Sequence, residues 1–111
     1  MVLKDGKLFM PFGTPGEDMQ VQAQTQVFLN MVEFDLTPQQ AMEEPRFRSA
    51  SFPNSGWPHP YAPGELNLEG RIDSQVVQQL EKMGHKISMR DEWMSIAGSP
   101  CAIVVLSLIH I

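Results

Sequence analysis

Cysteine is almost absent, since the 111 residues include only Cys101. A single thiol excludes an internal disulfide and any metal site built on several cysteines. Cys101 lies in the apolar run CAIVV. Because free cysteine is among the most buried residue types, we expect a buried, unreactive thiol.

Long apolar runs are missing as well. No run approaches the roughly 18 residues that a membrane span needs, and the segment MVLKDGKLF lacks the apolar core of a signal peptide. We therefore expect no membrane span in this segment, and the compartment stays open between the cytoplasm and the periplasm or exterior. The net charge of −5 argues mildly against nucleic acid as a partner.

The common catalytic motifs are also lacking. The sequence contains no GxSxG, HExxH, Walker or GxGxxG motif. Its three histidines, His59, His85 and His110, are far apart, whereas a metal site needs more ligands at closer spacing. We expect structural roles for the histidines, and neither a metal nor a cofactor.

The composition that remains is typical of a globular protein. Hydrophobic residues make up 42% and charged residues 19%, which argues against disorder, and this length allows one domain at most. The predicted order of elements is β-hairpin, α, α, β, β, α, β, β. That order indicates an α+β or layered α/β protein.

Three helices are predicted from periodicity and capping. Apolar residues at steps of three and four predict the first helix over 18–34, with one apolar stripe that includes Val21, Val27, Phe28 and Met31. The run TPQQAMEEP combines an N-cap, a proline at the first helical position and a capping box, so it predicts a second helix that Pro45 ends. The third helix begins at 73–74 and ends at Gly84.

The predicted strands are short. Asp5-Gly6 between two apolar runs predicts a hairpin turn. Residues 47–52 and the runs ELNLEG, HKISMR and CAIVVL are the other predicted strands. The proline-rich segment FPNSGWPHPYAPGE is predicted as a loop that Trp57 and Tyr61 pin to the body of the protein.

Two features could bind an anion. In GTPGED, at the start of the first predicted helix, Glu17 and Asp18 could simply stabilise the helix by about 0.3–1 kcal/mol through its dipole. The free N–H groups of the same glycine turn could instead bind an anion, or the oxyanion of an acyl-transfer intermediate. Arg46, in the run EEPRF, could anchor an anion, but we favour a structural ion pair with a helix acid.

Taken together, the segments VLKDGK, GTPGED, QVFLNMVEF, TPQQAMEEPRF and LEKMGHKI resemble the C-terminal part of the small subunit of the γ-glutamyltransferases (γ-glutamyltranspeptidases). The resemblance extends from Met1 to about Val105. It implies part of an αββα sandwich of the N-terminal-nucleophile hydrolase class, made as a precursor that cuts itself in two. The new N-terminal threonine, with its own amino group as base, attacks a γ-glutamyl amide such as glutathione and passes the acyl group to water or an amine.

The resemblance also implies the site residues. The family's loop carries two consecutive glycines after the proline, and their backbone amides form the oxyanion hole. Gly16 matches the first glycine, and Glu17 stands at the second. Glu17 keeps its N–H, but its side chain restricts φ and brings a negative charge. The family's nucleophile and the serine pair that helps hold the glutamyl carboxylate lie before Met1.

These implications divide the chain into two parts. Residues 1–105 are expected to be an incomplete domain, the C-terminal part of the small subunit, that contributes the oxyanion loop and is inactive alone. Residues 106–111, LSLIHI, resemble an in-frame translation of a sequencing adapter and are expected to be a non-native tail. The expected partners are a γ-glutamyl small molecule, the large subunit and the rest of the small subunit. The alternatives are a catalytically damped relative and a small non-catalytic α+β binding or assembly module.

Overall fold

The computed structural model describes residues 1–105. They form a mixed α/β structure of three small sheets and three α-helices, which confirms the predicted class. The elements are β1 (Val2–Lys4), β2 (Lys7–Met10), β3 (Phe12–Gly13), α1 (Met19–Val32), α2 (Pro38–Glu43), β4 (Phe47–Ser49), β5 (Glu65–Leu68), α3 (Ser74–Lys82), β6 (Lys86–Met89), a 3₁₀ turn (Ser95–Ala97) and β7 (Cys101–Ala102).

The N-terminal hairpin and the helix ends form as predicted. Strands β1 and β2 pair antiparallel around Asp5 and Gly6, whose φ angles of 51° and 75° suit a tight turn. Thr37 and Gln40 make the predicted capping box of α2. Asp73 caps α3 by accepting a hydrogen bond from the N–H of Gln75 at 2.7 Å. These elements follow from signals within a few residues of each other.

Helix α1 packs along a narrower seam than its sequence predicts. Met19, Ala23 and Val27 are buried at steps of four residues, and the first two form a buried cluster with Met94 and Ala97 beside the 3₁₀ turn. The predicted stripe is wrong at Val21, which is 74% exposed. Val21 lies two positions, or about 200° around the helix, from both Met19 and Ala23. The head of α1 is therefore anchored against the segment 94–97.

The largest sheet has the order β4-β5-β6. Strand β4 pairs antiparallel with β5, and β5 pairs parallel with β6 through the crossover helix α3, since parallel neighbours need such a connection. The middle strand is the buried one, with Leu66, Asn67 and Leu68 all inaccessible or nearly so. Strand β4 is therefore an edge strand that needs other partners for its outer backbone groups.

Two glutamines of α1 supply those partners. The side chain of Gln22 donates to the C=O of Ser49 at 3.1 Å and accepts from its N–H at 2.8 Å. The side chain of Gln26 likewise donates to the C=O of Phe47 at 2.9 Å and accepts from its N–H at 3.0 Å. The two primary amides act as a substitute for a neighbouring strand. They hold β4 against α1 and close the edge.

Two sequence predictions about side-chain burial are wrong. Cys101 is exposed, because β7 has only two residues and Cys101 pairs with Gly13, which has no side chain to cover the thiol. Trp57 and Tyr61 are 87% and 59% exposed and do not pin the proline-rich loop. Backbone hydrogen bonds hold that loop instead, including Ala62 N–H to Ala50 C=O at 2.7 Å. The predictions for residues 106–111, including His110, lie outside the described residues.

Candidate active site

The loop 13–18 is a tight turn that leads directly into α1. Gly16 has φ of 131° and Glu17 has φ of 48°, so both adopt conformations that favour glycine. The C=O groups of Gly16 and Glu17 accept from the N–H groups of Met19 and Gln20 at 2.9 and 3.0 Å. Within residues 1–105, no hydrogen bond occupies the N–H groups of Gly16 or Glu17. Both donors are free for an anionic ligand.

A second loop, which contains Gly98 and Ser99, contacts this turn and supports it. Thr14 Oγ1 donates to the C=O of Pro15 at 2.7 Å and accepts from the N–H of Ser99 at 2.8 Å. Gly98, with φ of 76°, lies so close that a Cβ there would stand 2.7 Å from the Pro15 oxygen and closer still to Thr14. A side chain at Gly98 would thus displace the turn that carries Gly16.

Arg46 holds the supporting loop. Its Nη1 donates to the C=O groups of Ala97 and Gly98 at 2.9 and 3.2 Å, and its Nη2 is 3.8 Å from Oε1 of Glu69. Arg46 is only 6% exposed, and this burial lowers its pKa, while Glu69 opposes the shift and Arg71 adds to it. The favoured ion pair is confirmed, but the acid follows β5 and is not part of a helix.

Glu69 is the centre of this network. It is fully buried and accepts from the backbone N–H groups of Arg46 and Met94, both at 3.0 Å. It also pairs with Arg71 at 2.7 Å, and Arg71 stacks on the ring of Trp93. The sequence reasoning missed Glu69, although an acid that ends a buried apolar strand, two residues before an arginine, is a signal for a buried ion pair.

Asp18 tethers the proline-rich loop to the start of α1. Its Oδ2 accepts from the N–H of Ser55 at 2.7 Å and makes no capping bond to its own helix. Hydrogen bonds from Ser55 lower the pKa of Asp18 below its ordinary value of 3.8, with a further contribution from Arg48. Asp18 is therefore ionised at neutral pH, and one of its carboxylate oxygens already accepts a hydrogen bond.

A pocket of about 460 Å³ opens beside the glycine turn. Residues from four segments form its wall: Gly16, Glu17, Asp18, Met19, Arg48, Asn54 and Ile96. The predicted pair, Gly16 and Glu17, thus lies together on one pocket, while Arg46 lies behind it and His59 and His85 do not line it. The free N–H groups suit a negatively charged or polarised oxygen, and the guanidinium of Arg48 suits a carboxylate.

Two other kinds of site are absent from the described residues. Residues 1–105 contain no group of three or more His, Cys, Asp or Glu side chains placed to hold a metal ion. Their helices are all too short or too polar to cross a membrane.

The comparisons with known proteins point to one family. A family model described as gamma-glutamyltranspeptidase matches residues 1–105. The chain is similar to the glutathione hydrolase-like YwrD proenzyme of Bacillus subtilis, with 32% identity over 95% of the chain and 19% of the relative. It is also similar to the glutathione hydrolase proenzyme of Pseudomonas sp. strain A14, with 38% identity over 79% of the chain and 14% of the relative. The chain thus spans less than a fifth of the length of these curated relatives.

Solved structures agree with that match. LmbA2991HD superposes with a TM-score of 0.82 and 35% identity, over 90% of this chain and 18% of its own. An acivicin-inhibited gamma-glutamyltranspeptidase superposes with a TM-score of 0.75 and 29% identity, over 96% of this chain and 50% of its own. The predicted fold, a fragment of an N-terminal-nucleophile hydrolase, is therefore confirmed.

Proposed function

Because the chain belongs to the gamma-glutamyltranspeptidase family, we propose that it forms the C-terminal part of the small subunit of a γ-glutamyl acyltransferase or hydrolase. In this proposal the enzyme cleaves γ-glutamyl amides such as glutathione and passes the acyl group to water or to an amine. The chain contributes the oxyanion loop, while the nucleophile comes from the rest of the protein. The names of the two curated relatives, a glutathione hydrolase-like proenzyme and a glutathione hydrolase proenzyme, support this substrate class.

The observation that carries the proposal is the pair of free N–H groups at Gly16 and Glu17. Attack on the γ-glutamyl carbonyl converts its oxygen into an oxyanion, and two preset donors stabilise that charge without reorganising at the moment of reaction. The position of both residues on one pocket, directly before a fourteen-residue helix, adds the positive end of the helix dipole. Removal of one such donor typically lowers kcat about 10²–10³-fold.

Glu17 is compatible with this role. The positive φ of 48° is the backbone conformation that a glycine adopts without strain, so the amide can keep the orientation expected of a second glycine. The Glu17 side chain is exposed, and no residue in 1–105 donates a hydrogen bond to it. Its carboxylate therefore stays near the pocket opening as an uncompensated negative charge.

The full-length protein that carries this chain provides the test. In Gly16→Ala the new Cβ would stand 3.3 Å from the Cα of Gly98, at a φ that alanine rarely adopts, so the amides should tilt. We expect kcat for γ-glutamyl-4-nitroanilide to fall about 10–10³-fold. Gly13→Ala is the matched control in the same loop, because a Cβ there meets nothing within 4 Å. Equal activity of the two variants would contradict the proposed hole.

A catalytically damped relative is the second candidate, and the Glu17 carboxylate is the observation that favours it. A negative charge near a developing oxyanion opposes the stabilisation that the amides supply. Glu17→Gly should then raise kcat with the same donor, whereas an enzyme tuned to Glu17 should lose activity. The family match favours either enzyme over the non-catalytic module.

A further inference from the structure

We propose that Arg48 binds a carboxylate on the leaving-group side of the scissile amide, so that the enzyme prefers donors whose leaving group is negatively charged. An amine acceptor enters from the side that the leaving group vacates, so the same arginine would favour acceptors that carry a carboxylate. The inference rests on the proposed function and names a substrate class for that site.

The position of Arg48 is set by its strand. It is the central residue of β4, and the backbones of its two neighbours, Phe47 and Ser49, are held by the amides of Gln26 and Gln22. Those glutamines belong to the same helix, α1, that begins at the glycine turn. The strand that carries Arg48 and the glycine turn are therefore both attached to α1, and Arg48 and the turn line the same pocket.

Arg48 differs from the other arginines in having no carboxylate in direct contact, although the charge of Asp18 lies close enough to attract it. Within residues 1–105, Arg46 and Arg71 pair with Glu69, and Arg90 lies 3.9 Å from Glu65. No described acid approaches Arg48 within 4 Å, and no described residue accepts a hydrogen bond from its side chain. Its fork of donors matches the two oxygens of a carboxylate.

The chemistry of the pocket indicates which carboxylate this is. The glutamyl carboxylate has its own ligands in the resemblance, a serine pair outside this chain. We assign the glutamyl side of the amide to those serines and the carbonyl oxygen to the N–H groups of Gly16 and Glu17. That assignment leaves Arg48, on the same pocket, for a group on the other side of the amide. In glutathione that side ends in a free carboxylate.

Two acids oppose this attraction. The carboxylate of Asp18 accepts a hydrogen bond from the N–H of Ser55 and competes for the charge of Arg48, while that of Glu17 has no partner among the described residues. Repulsion from Glu17 should thus weaken the binding of an anionic leaving group. Removal of the Glu17 charge should therefore have the opposite effect on the binding of such a leaving group to removal of the Arg48 charge.

The test uses two donors that differ by one carboxylate, γ-glutamyl-4-nitroanilide and γ-glutamyl-3-carboxy-4-nitroanilide, with the full-length protein. For Arg48→Gln we expect kcat/KM to fall about tenfold or more for the carboxylated donor, mainly through KM, and less than about twofold for the neutral one. Arg48→Lys keeps the charge and should lose less selectivity. Glu17→Gln should shift the ratio toward the carboxylated donor.

The control is Arg90→Gln, which removes a half-exposed arginine that directly follows β6, outside this pocket, and should leave the donor ratio unchanged. An equal fall for both donors in Arg48→Gln, or no fall in either, overturns the role of Arg48 while the proposed function stands. If the parent protein cleaves neither donor, the proposed function fails and this inference fails with it.

Discussion

At the scale of single residues, Glu17 combines a backbone strain with an unpaired charge. A non-glycine residue in the left-handed region costs about 1–2 kcal/mol, and its φ of 48° lies in that region. Nothing described compensates the cost through a side-chain hydrogen bond. Such local strain is common at functional sites. Substitutions of Glu17 can separate the effect of its backbone conformation from the effect of its charge.

Glu17→Gly should stabilise the full-length protein by about 0.5–1 kcal/mol, because relief of the strain exceeds the entropy that glycine loses on folding. Glu17→Gln keeps the strain and removes the charge, so its stability should stay within about 0.5 kcal/mol of the parent. The urea midpoint of unfolding measures both changes. A glycine variant that is less stable than the glutamine variant would show that the turn is unstrained.

Asp18 gives a pH prediction with a defined sign. Because Ser55 lowers the folded pKa of Asp18 below 3.8, the tether contributes fully above the ordinary pKa and is lost as the pH falls through the lower folded value. The loop 52–61 should therefore stay equally protected from pH 7 down to about pH 5. Asp18→Ala, which removes the acceptor, should raise the hydrogen–deuterium exchange of Ser55 at pH 7, after correction for intrinsic rates. Unchanged exchange would mean that the tether is dispensable.

At the scale of elements, the joint between α1 and β4 decides how the site is assembled. An edge strand exposes unpaired backbone groups that attract other chains, and Gln22 and Gln26 satisfy those groups with four hydrogen bonds. The spacing of four residues places both amides on one face of the helix. The same joint brings Arg48 beside the start of α1.

Gln22→Ala should destabilise the protein by about 1–3 kcal/mol, because it leaves the partly buried N–H and C=O of Ser49 without partners. The matched control is Gln20→Ala, which makes the same change at an exposed position of α1 and should stay within about 0.5 kcal/mol. Urea unfolding compares the two variants. Equal midpoints would show that water replaces the amide without loss.

At the scale of the whole molecule, a buried ion cluster joins segments that are far apart in sequence. Glu69 accepts hydrogen bonds from Arg46, Arg71 and the N–H of Met94. Arg46 in turn donates to the C=O of Gly98, in the loop that supports the Gly16 turn. The cluster thus links β4, β5 and the segment 92–98 to the glycine turn that carries Gly16. Its charges are paired inside the protein, so the loss of one partner leaves the others uncompensated.

Glu69→Gln should lower the free energy of unfolding by about 3 kcal/mol, since it leaves the buried Arg46 without its counter-charge. Glu81→Gln, on the exposed face of α3, is the control and should change it by less than about 0.5 kcal/mol. Thermal and urea unfolding of the full-length protein give the comparison. A Glu69→Gln variant as stable as the control would show that the cluster contributes no net stabilisation.

The sequence by itself determined the class of the fold, the hairpin, the helix ends and the glycine turn. These depend on signals a few residues apart, such as Asp5-Gly6 or the capping box at Thr37. The tertiary structure alone decided that Glu69 is buried, that Gln22 completes a sheet edge and that Cys101 is exposed. Each outcome depends on a partner at least 23 residues away. The order of residues does not give the partners of such contacts, so the sequence indicated the glycine turn as a candidate anion site but not Arg48 beside it.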